Sequence, residues 1–117
     1  MKPLAATSID LATQAAVKQF ASKVARDYPL TQTILFGSRA RGDAHDESDA
    51  DVALILSGQT QPFIKTKMAL SDLAYDVLLD TGIVIQGLPI WESQWAAPEA
   101  YTNPHLLHNV KRDGVVF

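Results

Sequence analysis

Two clusters of residues in this chain have the types and spacing to do chemistry. Gly37-Ser38 follows an apolar run, Thr33 to Phe36, and a glycine-serine turn lets a ligand approach the backbone and meet its N–H groups. If Arg39 to Gly42 opens a helix or turn, its free N–H groups face the same point, so the pair reads as a phosphate cradle. The second cluster is acidic. Asp43, Asp46, Glu47, Asp49 and Asp51 lie within nine residues, and the last two enter a strand predicted over Asp49 to Leu56. Alternation puts Asp49 and Asp51 on one face with Ala53 and Ile55 behind them, and Ala50, Val52, Leu54 and Leu56 on the other. Two carboxylates side by side on a buried strand repel unless a cation joins them. Mg²⁺ suits them, because it prefers oxygen, takes one or two protein carboxylates and completes its shell with water and substrate phosphates.

A Gly-Ser pair followed after ten residues by Asp-x-Asp resembles the signature of the DNA polymerase β-like nucleotidyltransferase superfamily. The Ser38-Arg39-Ala40-Arg41-Gly42 run and the ending Asn109-Val110-Lys111-Arg112-Asp113-Gly114 look most like its minimal nucleotidyltransferase (MNT) group, often the antitoxin half of a pair with a HEPN-domain toxin. The resemblance implies a polymerase β palm-like fold. It assigns Gly37 and Ser38 to the triphosphate of a substrate such as ATP, and Asp49 and Asp51 to Mg²⁺ and catalysis. It also implies AMP transfer to a hydroxyl on a HEPN partner; a module that neutralises its partner by binding alone is the alternative. Arg39 and Arg41 are candidate phosphate partners by their forked guanidinium. For Arg41, a salt bridge to the acidic loop is an equal alternative.

One feature departs from the family pattern. Active relatives usually carry a third carboxylate on the next strand, whereas Ile83 to Ile90 holds no acid and offers only Gln86, an amide that ligates metal weakly and is no general base. Asp76, Asp80 and Glu92 flank that strand and are expected to be solvated charges rather than displaced ligands. His45 is expected to be a loop histidine, and His105 and His108 lack a third zinc ligand.

Around these residues the chain reads as one domain, 1–117. Its 117 residues, 47% apolar and 20% charged, supply one core. A net charge of −3 argues against general nucleic-acid affinity, and the lack of cysteine excludes disulfides and thiolate metal sites. With no long apolar span, the expected location is the cytoplasm.

Residues 1–8 read as a loose lead-in, with Thr7 or Ser8 capping a helix over Ile9 to Tyr28 that Pro29 ends. Val17, Phe20, Ala21, Val24 and Tyr28 form its buried stripe. A second helix spans Phe63 to Thr81, with Gly82 as a left-handed stop. Leu70, Leu73, Ala74, Val77 and Leu78 make a wide apolar band on it, and Ile64, Met68, Ser71 or Asp72, Tyr75 and Leu79 a second track. Gly87 marks a candidate bulge in the third strand. Trp91, Glu92 and Trp95 could begin a short helix before Pro98, and Asn103-Pro104 open a last helix, His105 to Asp113, stopped by Gly114. The result is an α+β or α/β layer, a small mixed sheet backed by helices. Trp91, Trp95 and Tyr101 are candidate anchors for a protein partner, in a homo- or hetero-oligomer, with packing in the core as an equal alternative.

Overall fold

The computed structural model describes residues 1–117. A short strand β1 (Lys2–Pro3) and a 3-10 turn lead into α1 (Leu11–Asp27), and β2 (Leu30–Phe36) runs into a one-turn helix α2 (Ser38–Arg41). Then come β3 (Ala50–Leu56), α3 (Phe63–Thr81), β4 (Ile85–Trp91), α4 (Glu92–Ala96), α5 (Pro104–Asp113) and β5 (Val115–Val116). The five strands form one mixed sheet in the order β1-β5-β2-β3-β4. β2 pairs antiparallel with β3, and β3 pairs parallel with β4 through the α3 crossover.

The expected alternation of β3 sets the two layers. Ala50, Val52, Leu54 and Leu56 pack with Val17, Phe20 and Val24 of α1 and with Leu70, Ala74 and Val77 of α3. Ala53 and Ile55 face the other way and join Ile34, Ile90, Tyr101, Leu107 and Val110, under α5. Helices thus cover both faces of the central strand, which is why it is apolar on both sides except at Asp51. No helix is long and apolar enough to cross a membrane.

Several local expectations are corrected. The cap of α1 is Asp10, whose carboxylate accepts from the Thr13 N–H at 2.9 Å and the Thr13 hydroxyl at 2.7 Å, rather than Thr7 or Ser8. The lead-in is tied down: β1 pairs with β5, and the Met1 ammonium donates to the Lys111 carbonyl 110 residues away, contacts that local patterning does not reveal. Gly87 makes no bulge, since β3 and β4 stay in register from Ala50↔Ile85 to Leu56↔Trp91. Its missing side chain instead admits Phe20, whose ring edge would lie 2.8 Å from an added Cβ. Gly82 adopts the left-handed stop (φ 77°), but Gly114 is extended (φ −66°). There the reason for glycine is crowding, because a Cβ would collide with the Val110 carbonyl and press on Ile34.

The aromatic anchors are also corrected. Trp91 and Tyr101 are 3% and 6% exposed and belong to the two cores, while Trp95 packs on the second core with Lys111 Nζ 4.7 Å from its ring centre. Trp91, the last residue of β4, is buried on the α1 and α3 side, whereas Tyr101 is buried and Trp95 half-buried on the other face, where α4 and a 3-10 turn (Pro98–Ala100) return to the sheet.

Candidate functional site

At the junction of β2 and α2, Gly37 has φ 74° and ψ −158°, a conformation restricted almost entirely to glycine. Its carbonyl accepts from the N–H groups of Ala40 and Arg41, both at 3.1 Å, and the earlier N–H groups of the turn are left outside that ladder. A Cβ on Gly37 would run into the Asp51 carboxylate. The glycine-serine turn and the acidic strand are therefore in contact, a juxtaposition produced by the β2–β3 register that sets Phe36 opposite Asp51. Gly37→Ala is expected to lower the melting temperature by roughly 5–15 °C through a backbone strain of about 1–3 kcal/mol, measurable by calorimetry.

Asp49 ends the acidic loop and Asp51 is the second residue of β3. Gln86 stands opposite Asp51 on β4 and donates its amide N–H to Asp49 Oδ2 at 3.3 Å. Burial, followed by the nearby Asp49 carboxylate, raises the Asp51 pKa above its ordinary range; Arg41 and Lys67 pull it part of the way back. Lys67 on α3 is a residue that the sequence did not single out. Its ammonium donates to the Gly87 carbonyl at 2.6 Å, and burial pulls its pKa down against the opposing pull of Asp51. No three acidic or histidine side chains converge so that they could hold a metal ion among themselves. Two carboxylates fit a cation such as Mg²⁺ that completes its shell with water and phosphate, and not one that needs an all-protein cage.

The other candidates separate clearly. Arg39 is committed to the loop: its guanidinium donates to the Ser48 carbonyl at 2.8 Å, the Thr13 hydroxyl at 2.8 Å and the Asp46 carbonyl at 3.2 Å. It fastens the loop bearing Asp49 to the capped start of α1. Arg39→Ala is expected to speed amide hydrogen exchange across 43–49 and cost about 1–2 kcal/mol, and Arg39→Lys fails to restore either because a single ammonium cannot span three acceptors. Arg41 pairs with Asp43 at 3.3 Å and lies 3.8 Å from Asp113, so the expected salt bridge to the acidic loop is present, while its field still reaches Asp51.

Asp76 and Asp80 ride on α3, in the layer opposite the face of Asp51, and Asp80 accepts from Gln19 of α1 at 2.6 Å. The fold does not bring them to the Asp pair. His45, His105 and His108 are exposed.

Two hollows adjoin the turn. The smaller, about 160 Å³, is lined by Phe36, Gly37 and Arg41 with Leu106, Asn109 and Arg112 of α5. The larger, about 660 Å³, lies beside α2 and includes Lys2, Asp10, Arg39, Arg41 and Arg112, but neither Asp49 nor Asp51. The contribution of α5 could be guessed only from the basic ending Lys111-Arg112; its return to β2 is a tertiary event.

The family model described as "nucleotidyltransferase domain" matches residues 17–88, well over half of the chain, including the turn, the acidic loop, β2, β3 and the first half of β4 with Gln86. The chain belongs to the nucleotidyltransferase domain family. Among solved structures, this nucleotidyltransferase domain resembles a putative nucleotidyltransferase from Sulfolobus solfataricus at 22% identity and a TM-score of 0.55, over 91% of this chain and 82% of that one. It resembles a toxin-antitoxin solved with AMP-PNP at 22% identity and a TM-score of 0.56, over 81% and 67%. A cyclic dinucleotide synthase from Elizabethkingia meningoseptica, solved with GTP, aligns at 17% identity and a TM-score of 0.52, but over 38% of its own length. No curated protein matches. At these identities the structural likeness establishes the fold alone, a nucleotidyltransferase fold of mixed sheet and helices.

Proposed function

We propose that this nucleotidyltransferase domain transfers a nucleoside monophosphate, AMP from ATP, to a hydroxyl group on a partner protein, and that the partner is a HEPN toxin silenced by the modification. The single observation that carries the reading is the contact between the Gly37 turn and Asp51, with Asp49 and Gln86 completing the edge of the site. Gly37 and Ser38 present backbone donors to the triphosphate, and Arg41, half-exposed beside the turn, supplies positive charge to it. Asp49 and Asp51 would hold Mg²⁺, which when bound neutralises the charge on the phosphates and on the attacking and leaving oxygens. The acceptor oxygen bonds to the α-phosphorus, the bond from that phosphorus to the bridging oxygen breaks, and pyrophosphate leaves with the electron pair. Gln86 cannot take the acceptor proton, so the proton passes to solvent and the rate rises toward alkaline pH.

A second reading rests on the same Gln86: a domain that binds nucleotide and neutralises its partner by occlusion. The likeness to a toxin-antitoxin is in keeping with a toxin as partner in either case. Incubation with ATP labelled on the α-phosphate, Mg²⁺ and a candidate HEPN protein, followed by mass spectrometry, separates the two. A partner peptide heavier by one AMP supports transfer. An unmodified but neutralised partner selects occlusion.

A further inference from the structure

The apolar band Leu70, Ala74 and Val77 of α3 packs on the sheet, but the second track on the same helix does not. Ile64, Met68, Tyr75 and Leu79 are 66%, 64%, 52% and 69% exposed, and they line one outward face that runs about 22 Å along the helix. Their spacing is symmetric about the point between Ser71 and Asp72. Ile64 and Leu79 lie equally far from it on either side, as do Met68 and Tyr75, and the small Ser71 sits at the centre.

The charges are divided by the same point. The first half of α3 carries Lys65 and Lys67, and the second half Asp72, Asp76 and Asp80. Lys67 is committed to the Gly87 carbonyl and Asp80 to Gln19, whereas Lys65, Asp72 and Asp76 are exposed and make no ion pair within the chain. Acidic residues toward the C-terminal end oppose the helix dipole, so this distribution does not favour the isolated helix. It favours an antiparallel neighbour with the same distribution.

We propose that α3 is a self-association helix: two copies of this chain pack these faces antiparallel across a two-fold axis between Ser71 and Asp72. In that arrangement Ile64 of one copy meets Leu79 of the other, and Met68 meets Tyr75. Lys65 lies on the same flank as Asp76 of the second copy, in two equivalent ion pairs. A two-fold interface uses one patch twice and must be self-complementary; the apolar spacing and the Lys65–Asp76 pairs satisfy that condition, and the exposed Asp72, which lies beside its own copy near the axis, is a like-charge cost that these contacts offset. One helix face per copy is smaller than the roughly 800 Å² per partner of a standard stable complex, so the dimer dissociates in the micromolar range. The inference does not depend on the nucleotidyl-transfer reading, because the α3 face is in the layer opposite Asp51.

Sedimentation equilibrium of the full chain from about 1 to 500 µM is the test. The expected result is a reversible rise from the 12.7 kDa monomer toward twice that mass. Met68→Glu weakens the association at least about tenfold without loss of fold, since the side chain is exposed. Lys65→Glu and Asp76→Lys each weaken it several-fold, and the double variant, which inverts the pair in both copies, restores it. The chain has no cysteine, so Ser71→Cys should give a disulfide-linked dimer on mild oxidation while Thr102→Cys, on an exposed turn elsewhere, does not. A monomer over the whole range overturns the proposal, and so does a dimer indifferent to Met68→Glu and Lys65→Glu. Binding of a different protein to this face by a chain that stays monomeric likewise assigns the face to that partner and overturns self-association.

Discussion

Asp51→Asn is expected to reduce Mg²⁺-dependent ATP binding at least about 100-fold and nucleotidyl transfer about 1,000-fold or more, while slightly stabilising the protein without metal. Both effects have one cause. Asp51 is held beside Asp49 and the Gly37 turn, where burial and the second carboxylate disfavour its charged form. A bound cation relieves that cost, and an amide removes it without keeping the metal. Because the folded-state pKa is raised, the folded protein holds the Asp51 proton to higher pH than the unfolded chain does. The charged carboxylate therefore destabilises the metal-free fold above the raised pKa. That penalty fades as pH falls through it and is gone below the ordinary value of 3.8. The variant's advantage should follow the same course, and it stays below about 1 kcal/mol because the side chain is only half-buried. Calorimetric titration with Mg·ATP and thermal melts from pH 4 to pH 8 would check both. Unchanged Mg·ATP affinity in Asp51→Asn and in Asp49→Asn would remove the metal assignment. Protons and metal compete for Asp51, so the wild-type affinity for Mg²⁺ should fall as the pH drops into its raised range.

Gln86→Glu is expected to accelerate transfer by about 10²–10⁴-fold near neutral pH, the usual worth of general-base assistance. The position is suited to it: Gln86 lies opposite Asp51 on the adjacent parallel strand, and its amide already reaches Asp49. A carboxylate there would complete a three-acid cluster able to share the metal and accept the proton of the attacking hydroxyl. Without metal it adds a third like charge, so the variant should melt at a lower temperature than wild type and recover more on addition of Mg²⁺. The pH dependence gives an independent readout. Wild-type activity should climb steadily with alkalinity as the acceptor ionises unaided, whereas the variant should reach a plateau. A variant with stronger metal binding but no gain in rate would show that the side chain reaches the cation and not the acceptor.

The local arrangement of the candidate site was legible in the sequence wherever it depended on the order of adjacent residues. Glycine and serine after a short apolar run, and two aspartates one residue apart on an alternating strand, are properties of adjacent residues, and the layers of β3 follow from its alternation alone. So did α3, from its apolar spacing and its terminal glycine. Contacts between distant segments were decided only by the tertiary structure. The register of β2, β3 and β4 sets Gly37 against Asp51 and Gln86 beside Asp49. The side chain of Arg39, next to Ser38 in sequence, is held by the Thr13 hydroxyl and the Asp46 and Ser48 carbonyls. Of the aromatic residues that the sequence offered as interface anchors, Trp91 at the end of β4 joins the core under α1 and α3, while Tyr101 is a member of the second core and Trp95 packs against it, on the face that α5 covers. The two apolar tracks of α3 look alike as sequence, and one is core while the other is surface, because a helix lying on a sheet can bury only one side of itself.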